Sequence, residues 1–596
     1  MSIALLASIP LFMLATISRS LKEIPRFKAF LDAFDIHQLS FIILAISTLF
    51  IWTMRSITPF GISQSAWIQQ LWTLTFSSML LLFITLFAKQ LQHGKLSALK
   101  EYSFCYLKIM TLCMLASLPY WIIQTPENHY FIPSINNNDV FAYLYRSSSF
   151  IPWQKDLVAS MISGNTLYQI TEMSSKFASA VYLSLFKALT SNPGLAAASA
   201  MVAVIVSITH LFWQSFKKTN NKKFLSINSF ALLIFLMSIP ALQFIGIRYH
   251  LSQGLFIYTT GLSMLTTIKL NQRHSLANTL FYILSFLYIL ILYPVALILF
   301  SGLTIATLGM TKCINNRSTF FFWLPRLIFF AITAYLLNYL FGDLLFTGRG
   351  ELEEHLNSPY YSLPFIPFIA LLLAPISLNN GSNFVIELSH LRAVLFDGLL
   401  ASAALVAILK WENHHDRKVL LQSLTLISIA MASYICLYCY TDGNYRAFKF
   451  CTTVVTLIVL FTVTRFFGNT HFGTSHLGTC ILLLITITNL SSIQSLTFSR
   501  SFPPSYSKWI DHINQSSEKE IYYDFYDYKI NMYLPMLVPE KSLNALGNSY
   551  FTTNLKSKKN SGDVFYYTRN SPKSEHLEIY RVRRDGTKEK FSMQKH

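Results

Sequence analysis

The residue of this chain best suited to catalysis is Asp139, the acidic end of the run Asn136-Asn137-Asn138-Asp139. The run lies in a polar loop, Gln124 to Asp156, between two long apolar stretches. A carboxylate there can accept a proton from a sugar hydroxyl as general base, which turns that hydroxyl into a nucleophile toward an activated donor. Aspartate or asparagine just before a helix also commonly caps it. The run therefore predicts either a catalytic base or a helix cap, and Asn138 is a candidate substrate ligand.

A second group of candidates lies in the short segment Tyr440 to Lys449, which joins two strongly apolar stretches. Arg446 and Lys449 are spaced so that they share one side of a helix. Together they can clamp a lipid phosphate, with the arginine making a forked contact and the lysine acting as a point charge. Snorkelling to phospholipid head groups is the competing interpretation. Tyr445, which precedes the pair, is a candidate substrate ligand.

Other polar positions add candidate ligands. Arg248 and His250 form a short turn between apolar stretches and are candidate contacts to a donor phosphate. Arg146, downstream of Asp139, is a candidate substrate contact. Glu351 belongs to an acidic, glycine-flanked loop that suits substrate binding or gating. The acidic residues of that loop lack the spacing of a metal site, so no metal ligand is assigned. A divalent cation stays open as a cofactor.

The composition indicates what must position these residues. Hydrophobic residues make up 53% of the 596 residues, charged residues only 13%, and the mean hydropathy is +0.43. Apolar runs of about 20 residues cross a bilayer as helices, which satisfy their own backbone hydrogen bonds. The chain is therefore predicted to be a polytopic α-helical membrane protein of about 14 spans. These are 2–18, 39–54, 66–88, 104–123, 194–213, 224–245, 253–268, 276–293, 295–310, 320–341, 393–410, 419–440, 447–467 and 476–496.

Basic residues cluster in alternate short loops, as the positive-inside bias expects of the cytoplasmic side. The net charge of +19 therefore reflects topology and does not indicate nucleic-acid binding. With the basic loops in the cytoplasm, the segments 124–193, 342–362, 441–446 and 497–596 face the other side. The proline-containing stretch Pro364 to Leu378 is predicted to be re-entrant or interfacial rather than a full span.

Two segments of the predicted outer loop, Val140 to Phe150 and Lys176 to Leu189, carry apolar residues at helical spacing. They are predicted to be amphipathic helices on the membrane surface. The chain as a whole divides into a multi-span domain, 1–499, and a small soluble α/β domain, 500–596. In the second domain strands are predicted at Glu520 to Tyr528, Asp563 to Tyr567 and Leu577 to Val582, with a proline-interrupted helix at Asn531 to Leu546.

This layout resembles the GT-C superfamily of integral-membrane glycosyltransferases. The shared features are many spans, an acidic residue in an outer loop followed by amphipathic helices, and a C-terminal soluble domain on the same side. The Tyr293-Pro294 turn and the Asn444-Tyr445-Arg446-Ala447-Phe448-Lys449 entry into a span also look similar to some bacterial members. The chain departs from the family in having several spans before its acidic loop, and in having only Asn138-Asp139 where many members have paired acids.

The resemblance implies an inverting transferase with a polyprenyl-phosphate-linked sugar as donor and a glycan, lipid or protein as acceptor. Asp139 would be the base, Arg446 and Lys449 would stabilise the departing phosphate, and the C-terminal domain would hold the acceptor. Residue usage typical of an AT-rich genome favours a bacterial inner membrane, with the C-terminal domain in the periplasm. A transporter or flippase of a lipid-linked sugar and a non-catalytic membrane assembly protein stay open as alternatives.

Overall fold

The structure is a computed structural model, and it describes part of the chain. The continuous ranges are 1–24, 31–32, 34–55, 57–92, 96–123, 138–152, 176–219, 227–247, 249–269, 276–293, 377–379, 383–385, 456–469, 476–497, 504–515, 520–524, 542–545, 564–568, 578–583 and 588–592. Isolated positions between 296 and 307 and between 426 and 454, and position 537, are also described. Outside these residues lie the predicted site residues Arg248, Glu351, Tyr445, Arg446 and Lys449, and the predicted spans 320–341 and 393–410.

The described chain is mainly helical. Its helices are α1 (Ser2–Lys22), α2 (Ile36–Met54), α3 (Gln64–Gln92), α4 (Leu96–Ile123), α5 (Asn138–Ser149), α6 (Phe177–Lys187), α7 (Pro193–Thr219), α8 (Ile227–Ser238), α9 (Pro240–Ile247), α10 (Leu251–Lys269), α11 (Leu276–Leu292), α12 (Thr456–Asn469), α13 (His476–Thr497) and α14 (Pro504–Gln515). A short antiparallel pair, β1 (Ser377–Asn379) and β2 (Asn383–Val385), lies between α11 and α12 in the sequence.

Five of these helices, α1, α2, α3, α4 and α7, are long and apolar enough to cross a membrane. They coincide with the first five predicted spans. Large apolar side chains project from the outer faces of helices, such as Leu81 of α3 and Ile487 of α13, which are 66% and 64% exposed. Exposed apolar surface of this extent suits contact with lipid rather than water. The described helices are therefore compatible with an integral membrane protein.

Helix α7 is the centre of the described bundle. In its membrane-crossing window 83% of the residues are buried, and the helix packs against α1, α4, α6, α8, α10 and α12. Many of its side chains are small, including the fully buried alanines Ala196, Ala200 and Ala203. Small residues let helices approach closely, which matters in lipid because van der Waals packing contributes much of the association. The sequence of α7 thus explains why so many helices gather around it.

A capping box fixes the start of α2. The Asp35 carboxylate accepts the backbone N–H of Gln38 at 3.0 Å, and Gln38 Oε1 accepts the backbone N–H of Asp35 at 2.7 Å. These bonds satisfy two donors that a helix start leaves open. Gln38 Nε2 also donates to Thr266 Oγ1 of α10 at 2.7 Å. The start of α2, with His37 in its first turn, is thereby tied to the C-terminal half of α10.

The predicted span 224–245 is interrupted. Helix α8 ends at Ser238, α9 begins at Pro240, and the two form a pair bent by 51°. Proline removes a backbone donor and its ring clashes with the preceding turn, so it breaks the helix. The Gln243 side-chain amide donates to the Met237 carbonyl beside the break. A side chain thus satisfies a backbone group that the interruption leaves open.

Helices α5 and α6 correct a prediction, because they are not amphipathic helices on the membrane surface. All residues of α6 are buried, and so are Tyr143 to Ser148 of α5. Ser184 Oγ accepts a hydrogen bond from Trp72 Nε1 of α3 at 2.7 Å, so the polar side of α6 also packs against protein. Serines that bond neighbouring helices recur along one side of a helix with the same spacing as polar residues on a solvated face. The pattern predicted the helices correctly and their surroundings wrongly.

The C-terminal part contains α14 and a five-stranded sheet of order β4-β3-β5-β6-β7. Its strands are β3 (Glu520–Asp524), β4 (Ser542–Ala545), β5 (Val564–Thr568), β6 (Glu578–Arg583) and β7 (Lys588–Ser592). β3 pairs in parallel with β4 and β5, whereas β5, β6 and β7 pair antiparallel. β3, β5 and β6 fall where strands are predicted. The predicted helix over Asn531 to Leu546 is wrong at Ser542–Ala545, because pairing with β3 makes that segment an edge strand.

Candidate functional site

Asn138 and Asp139 lie in the first turn of α5, which begins at Asn138. Since a cap is the residue before the first helical residue, Asp139 is inside the helix and not at the capping position. The first turn of a helix favours negative charge, because unpaired backbone N–H groups and the helix dipole are positive there. A carboxylate at this position of the helix can serve as a general base.

One helical turn after Asp139, Tyr143 joins α5 to two other helices. Its hydroxyl forms a hydrogen bond of 2.5 Å with Ser252 Oγ of α10, and Ser179 Oγ of α6 lies 2.9 Å from the same oxygen. We call Tyr143, Lys176, Ser179, Tyr249 and Ser252 the α5 cluster. Within it the Tyr143 ring lies 6.2 Å from the Tyr249 ring, and Lys176 Nζ lies 5.8 Å from the Tyr143 ring centroid. The second turn of α5 therefore meets the first turns of α6 and α10 at this cluster.

The predicted turn at His250 is the joint between α9 and α10. The Tyr249 N–H donates to Gly246 O at 3.0 Å, and the His250 N–H donates to Ile245 O at 2.9 Å. This pair of bonds is the Schellman ending of a helix, and Tyr249 takes its left-handed position with φ 58°. That conformation costs a non-glycine residue about 1–2 kcal/mol. Tyr249 is fully buried, so packing in the α5 cluster holds the turn in place.

His250 and Arg146 are enclosed rather than solvated. His250 is 8% exposed and lies two residues from Ser252 at the start of α10, while Arg146 of α5 is 6% exposed. Arg146 and Tyr143 are three residues apart and therefore share a side of α5. A buried guanidinium requires charged or hydrogen-bonding groups around it. Arg146 is therefore near Tyr143 along α5, and His250 is near Ser252, the hydrogen-bond partner of Tyr143.

Further basic groups surround the same helices. Arg55, at the end of α2, lies over the Phe177 ring of α6 with its Cζ 5.0 Å from the ring centroid. Phe177 in turn contacts Phe150, just after α5, at a centroid distance of 5.5 Å. Lys187, at the end of α6 and outside the five candidate spans, is 1% exposed, and burial lowers its pKa to about 8. Arg55 thus lies at the beginning of α6, beside the α5 cluster, whereas Lys187 lies at the other end of α6.

Four predicted site residues, Asn138, Asp139, Arg146 and His250, thus belong to helices that meet at the α5 cluster. Arg248, Glu351, Tyr445, Arg446 and Lys449 lie outside the described residues. Within the described part of the chain, no three His, Cys, Asp or Glu side chains come together as ligands for a metal ion. A divalent cation therefore has no assigned site in this part of the protein.

Two sets of polar residues in the described helices are not singled out by the sequence as candidate site residues. Tyr143, Ser179 and Ser252 gave no signal, because serine and tyrosine are common in apolar helices. Lys108 and His210 did carry a signal, since each interrupts a candidate span, and ionisable residues inside spans are rare and usually functional. They lie with His37 toward the opposite end of α2 from the α5 cluster.

Comparison of the chain with protein-family models, with curated proteins and with solved structures found no match.

Proposed function

We propose that the protein is an integral-membrane glycosyltransferase. It moves a sugar from a polyprenyl-phosphate-linked donor to a glycan, lipid or protein acceptor on the non-cytoplasmic face. The observation that supports the proposal is the hydrogen bond between Tyr143 of α5 and Ser252 of α10, because Asp139 lies one turn before Tyr143 and His250 lies two residues before Ser252. An acid and basic groups for a phosphate are then held by rigid helices in one region of the chain.

The proposed chemistry is a single displacement with inversion. Asp139 takes the proton of an acceptor hydroxyl, and the hydroxyl oxygen forms a bond to the anomeric carbon of the donor sugar. The bond between that carbon and the phosphate oxygen breaks, and its electron pair leaves with the polyprenyl phosphate. His250, Arg248, Arg446 and Lys449 stabilise the negative charge that develops on the phosphate. Asn138, Arg146, Glu351 and Tyr445 position the sugar and acceptor hydroxyls.

The proposal includes a finer architecture. About 14 spans, with the basic loops in the cytoplasm, leave Asp139, the segment 342–362 and the C-terminal part on the opposite side. The sheet β3–β7 and α14 then form a soluble α/β domain, 500–596, that binds the acceptor. In a bacterial cell this arrangement corresponds to the inner membrane and the periplasm. The order of strands supports a compact domain, since β3 pairs with both β4 and β5.

Release of polyprenyl phosphate from radiolabelled polyprenyl-phosphate sugars tests the proposal. We expect purified wild-type protein to release it in the presence of acceptor glycans, and Asp139→Asn to lower the rate by about 100-fold or more, because general base catalysis contributes about 10²–10⁴. Asp32→Asn is the matched control, since Asp32 is exposed and lies near the other end of α2.

Two results would count against these assignments. If Asp139→Asn turns over at the wild-type rate, Asp139 only stabilises the first turn of α5, and another base must be sought. If the wild-type protein turns over no donor with a broad acceptor panel, the transferase proposal fails. Thermal unfolding of Asp139→Asn separates a lost base from a lost fold, because the first-turn charge contributes only about 0.3–1 kcal/mol.

The break between α8 and α9 favours a second candidate, a transporter or flippase of a lipid-linked sugar. Discontinuous helices form the substrate sites of many secondary transporters, because their ends offer unpaired backbone groups to the substrate. In this chain Gln243 satisfies the Met237 carbonyl at the break, which leaves less free backbone for a ligand. Movement of a fluorescent lipid-linked sugar across vesicles, without phosphate release, would establish the transporter in place of the transferase.

A further inference from the structure

A cavity of about 260 Å³ lies between α1, α2, α4, α6, α7 and α10. Its polar end is formed by Arg19, His37, Lys108, His210 and Tyr258. We call these five residues the basic cavity end. Tyr258 is about 9 Å along α10 from Ser252 of the α5 cluster at about 1.5 Å per residue, and the apolar part of the lining reaches Leu255, one helical turn from Ser252. The basic cavity end is therefore distinct from the α5 cluster, whereas the apolar end of the cavity comes within one helical turn of it.

A directed chain of hydrogen bonds runs through the basic cavity end. A charged lysine can only donate, so His210 Nε2 accepts from Lys108 Nζ at 3.0 Å. The proton of a neutral His210 is then on Nδ1, which donates to His37 Nε2 at 2.9 Å. His37 Nδ1 in turn lies 3.4 Å from the Tyr258 hydroxyl. The chain links α4, α7, α2 and α10, so it holds the cationic group and both imidazoles in fixed positions.

The described lining of the cavity contains the basic residues Arg19 and Lys108 and no Asp or Glu. Arg19 forms an ion pair with Glu101, so the binding of an anion depends on Lys108. His37, Lys108 and His210 are half-buried. Ionisable groups are costly inside a membrane protein and usually mark a binding site or pathway, and these groups suit an anion.

The rest of the cavity is apolar. Leu14, Leu44, Ile109, Leu112 and Leu255 line the part that extends from the basic cavity end toward Tyr182 of α6. The volume lies just below the about 300–1,000 Å³ of typical small-molecule pockets. The cavity can therefore hold a small anionic head together with part of an apolar chain, but not a whole bilayer lipid.

We propose that this cavity binds a phosphate-headed amphiphile, with the phosphate at Lys108, whose ammonium group has N–H bonds beyond the one given to His210, and the apolar chain along the leucine-lined wall. Gln214, which also lines the cavity, has a second amide N–H beside the one that it directs at His210 Nε2. Arg19 is 41% exposed and marks where the polar end reaches the surface. The site does not depend on the proposed sugar transfer, and its occupancy can be measured without any turnover.

Protection of Cys105 from alkylation tests the proposal on the unmodified full-length protein. Cys105 is a free, half-buried cysteine that lines the cavity, and the exposed Cys480 of α13 is its internal control. We expect saturating geranyl phosphate to slow the reaction of Cys105 with N-ethylmaleimide at least about fivefold, as followed by peptide mass spectrometry, and to leave Cys480 unchanged. Geraniol and inorganic phosphate at the same concentration should protect Cys105 much less, because geraniol lacks the phosphate group and inorganic phosphate lacks the apolar chain.

Calorimetry of variants supplies the second arm. Lys108→Met should weaken the binding of geranyl phosphate by at least about tenfold, because charge-assisted hydrogen bonds are about twice as strong as neutral ones. Lys89→Met removes an exposed lysine of α3 outside the cavity and should leave binding unchanged. If inorganic phosphate protects Cys105 as well as geranyl phosphate does, the cavity binds a free anion and the proposal of an amphiphile is wrong. Equal protection by geraniol, or binding unaffected by Lys108→Met, would overturn the role of the basic cavity end.

Discussion

The hydroxyl groups of Tyr143, Ser252 and Ser179 join three helices. The Tyr143 bond to Ser252 links α5 to α10, and Ser179 of α6 bonds the same serine. In lipid such interhelical hydrogen bonds each contribute about 0.6 kcal/mol, so their value for stability is modest. Their value for geometry is larger, because Asp139 lies one turn earlier on the same rigid helix. At the scale of the residue, the candidate site depends on Tyr143 more than on any residue that the sequence analysis chose.

Replacing Tyr143 with phenylalanine tests this positioning role. The change removes the hydroxyl and keeps the ring that contacts Tyr249, so we expect stability to fall by only about 0.5–1.5 kcal/mol. Polyprenyl-phosphate release should fall by about tenfold or more, since small misplacements of a reacting group can cost up to about 100-fold. Rates and thermal unfolding would be measured on the same preparations.

Tyr282→Phe is the matched control for that variant. Tyr282 is also a buried tyrosine, and its hydroxyl bonds Thr267 and the Ser263 carbonyl near the C-terminal end of α10. It should lose comparable stability without losing comparable turnover. If both variants lower turnover in proportion to their loss of stability, Tyr143 has only a structural role.

Helix α10 approaches α7 closely at glycines. An added Cβ at Gly254 would lie 2.8 Å from Val204 Cγ1, and one at Gly261 would lie 3.0 Å from the Phe212 ring. Val204 is β-branched and has little freedom to move aside. α10 carries Ser252 at its start and Tyr258 in the cavity wall. At the scale of the element, the close packing of α10 against α7 therefore sets the position of both sites.

Gly254→Ala should therefore destabilise the protein, by about 1–3 kcal/mol as in other overpacked cores, despite the better helix propensity of alanine. Gly302→Ala is the control, because nothing lies within 4 Å of an added Cβ there; it should be neutral or stabilising by up to about 1 kcal/mol. The measurement is thermal unfolding in detergent.

The double variant Gly254→Ala/Val204→Ala checks the cause of that effect. Removing the Val204 methyl groups restores the space that the new Cβ needs, so the double variant should recover part of the stability lost by Gly254→Ala. A purely additive loss in the double variant would show that the steric explanation is wrong.

Within the described bundle, the basic cavity end and the α5 cluster lie toward opposite ends of α2. His37 begins α2 at the basic cavity end, while Arg55 follows its other end and contacts Phe177 beside the α5 cluster. If the basic loops face the cytoplasm, the cavity opens on the cytoplasmic side and the α5 cluster lies toward the other side. Two sites for phosphate-bearing groups would then lie at the two faces of one helix bundle.

Cysteine labelling in intact cells tests that orientation. On a background with the seven native cysteines replaced, we expect Phe60→Cys to react with a membrane-impermeant maleimide added outside, because Phe60 is fully exposed in the turn between α2 and α3. Glu23→Cys, at the exposed end of α1, should react only after permeabilisation. The reverse pattern would place the α5 cluster in the cytoplasm, and the proposed transfer site with it.

The sequence by itself located the first helices, because the length of an apolar run is a local property, although α4 begins eight residues before its predicted span. It also found β3, β5 and β6 from their alternating residues, and it selected Asp139, Arg146 and His250 by residue type and setting. The helix predicted over Ser542–Ala545 failed because a strand at the edge of a sheet is defined by its neighbour β3 and not by its own spacing.

Only the tertiary structure decided what surrounds each helix. Serines on α6 are consistent with a solvated surface or with bonds to Trp72 and Ser252, and spacing alone cannot distinguish the two. The same holds for the basic cavity end, where Lys108, His37 and His210 come from three helices that are distant in sequence. Contacts between distant segments arise from packing around α7, so no local pattern of residues contains them.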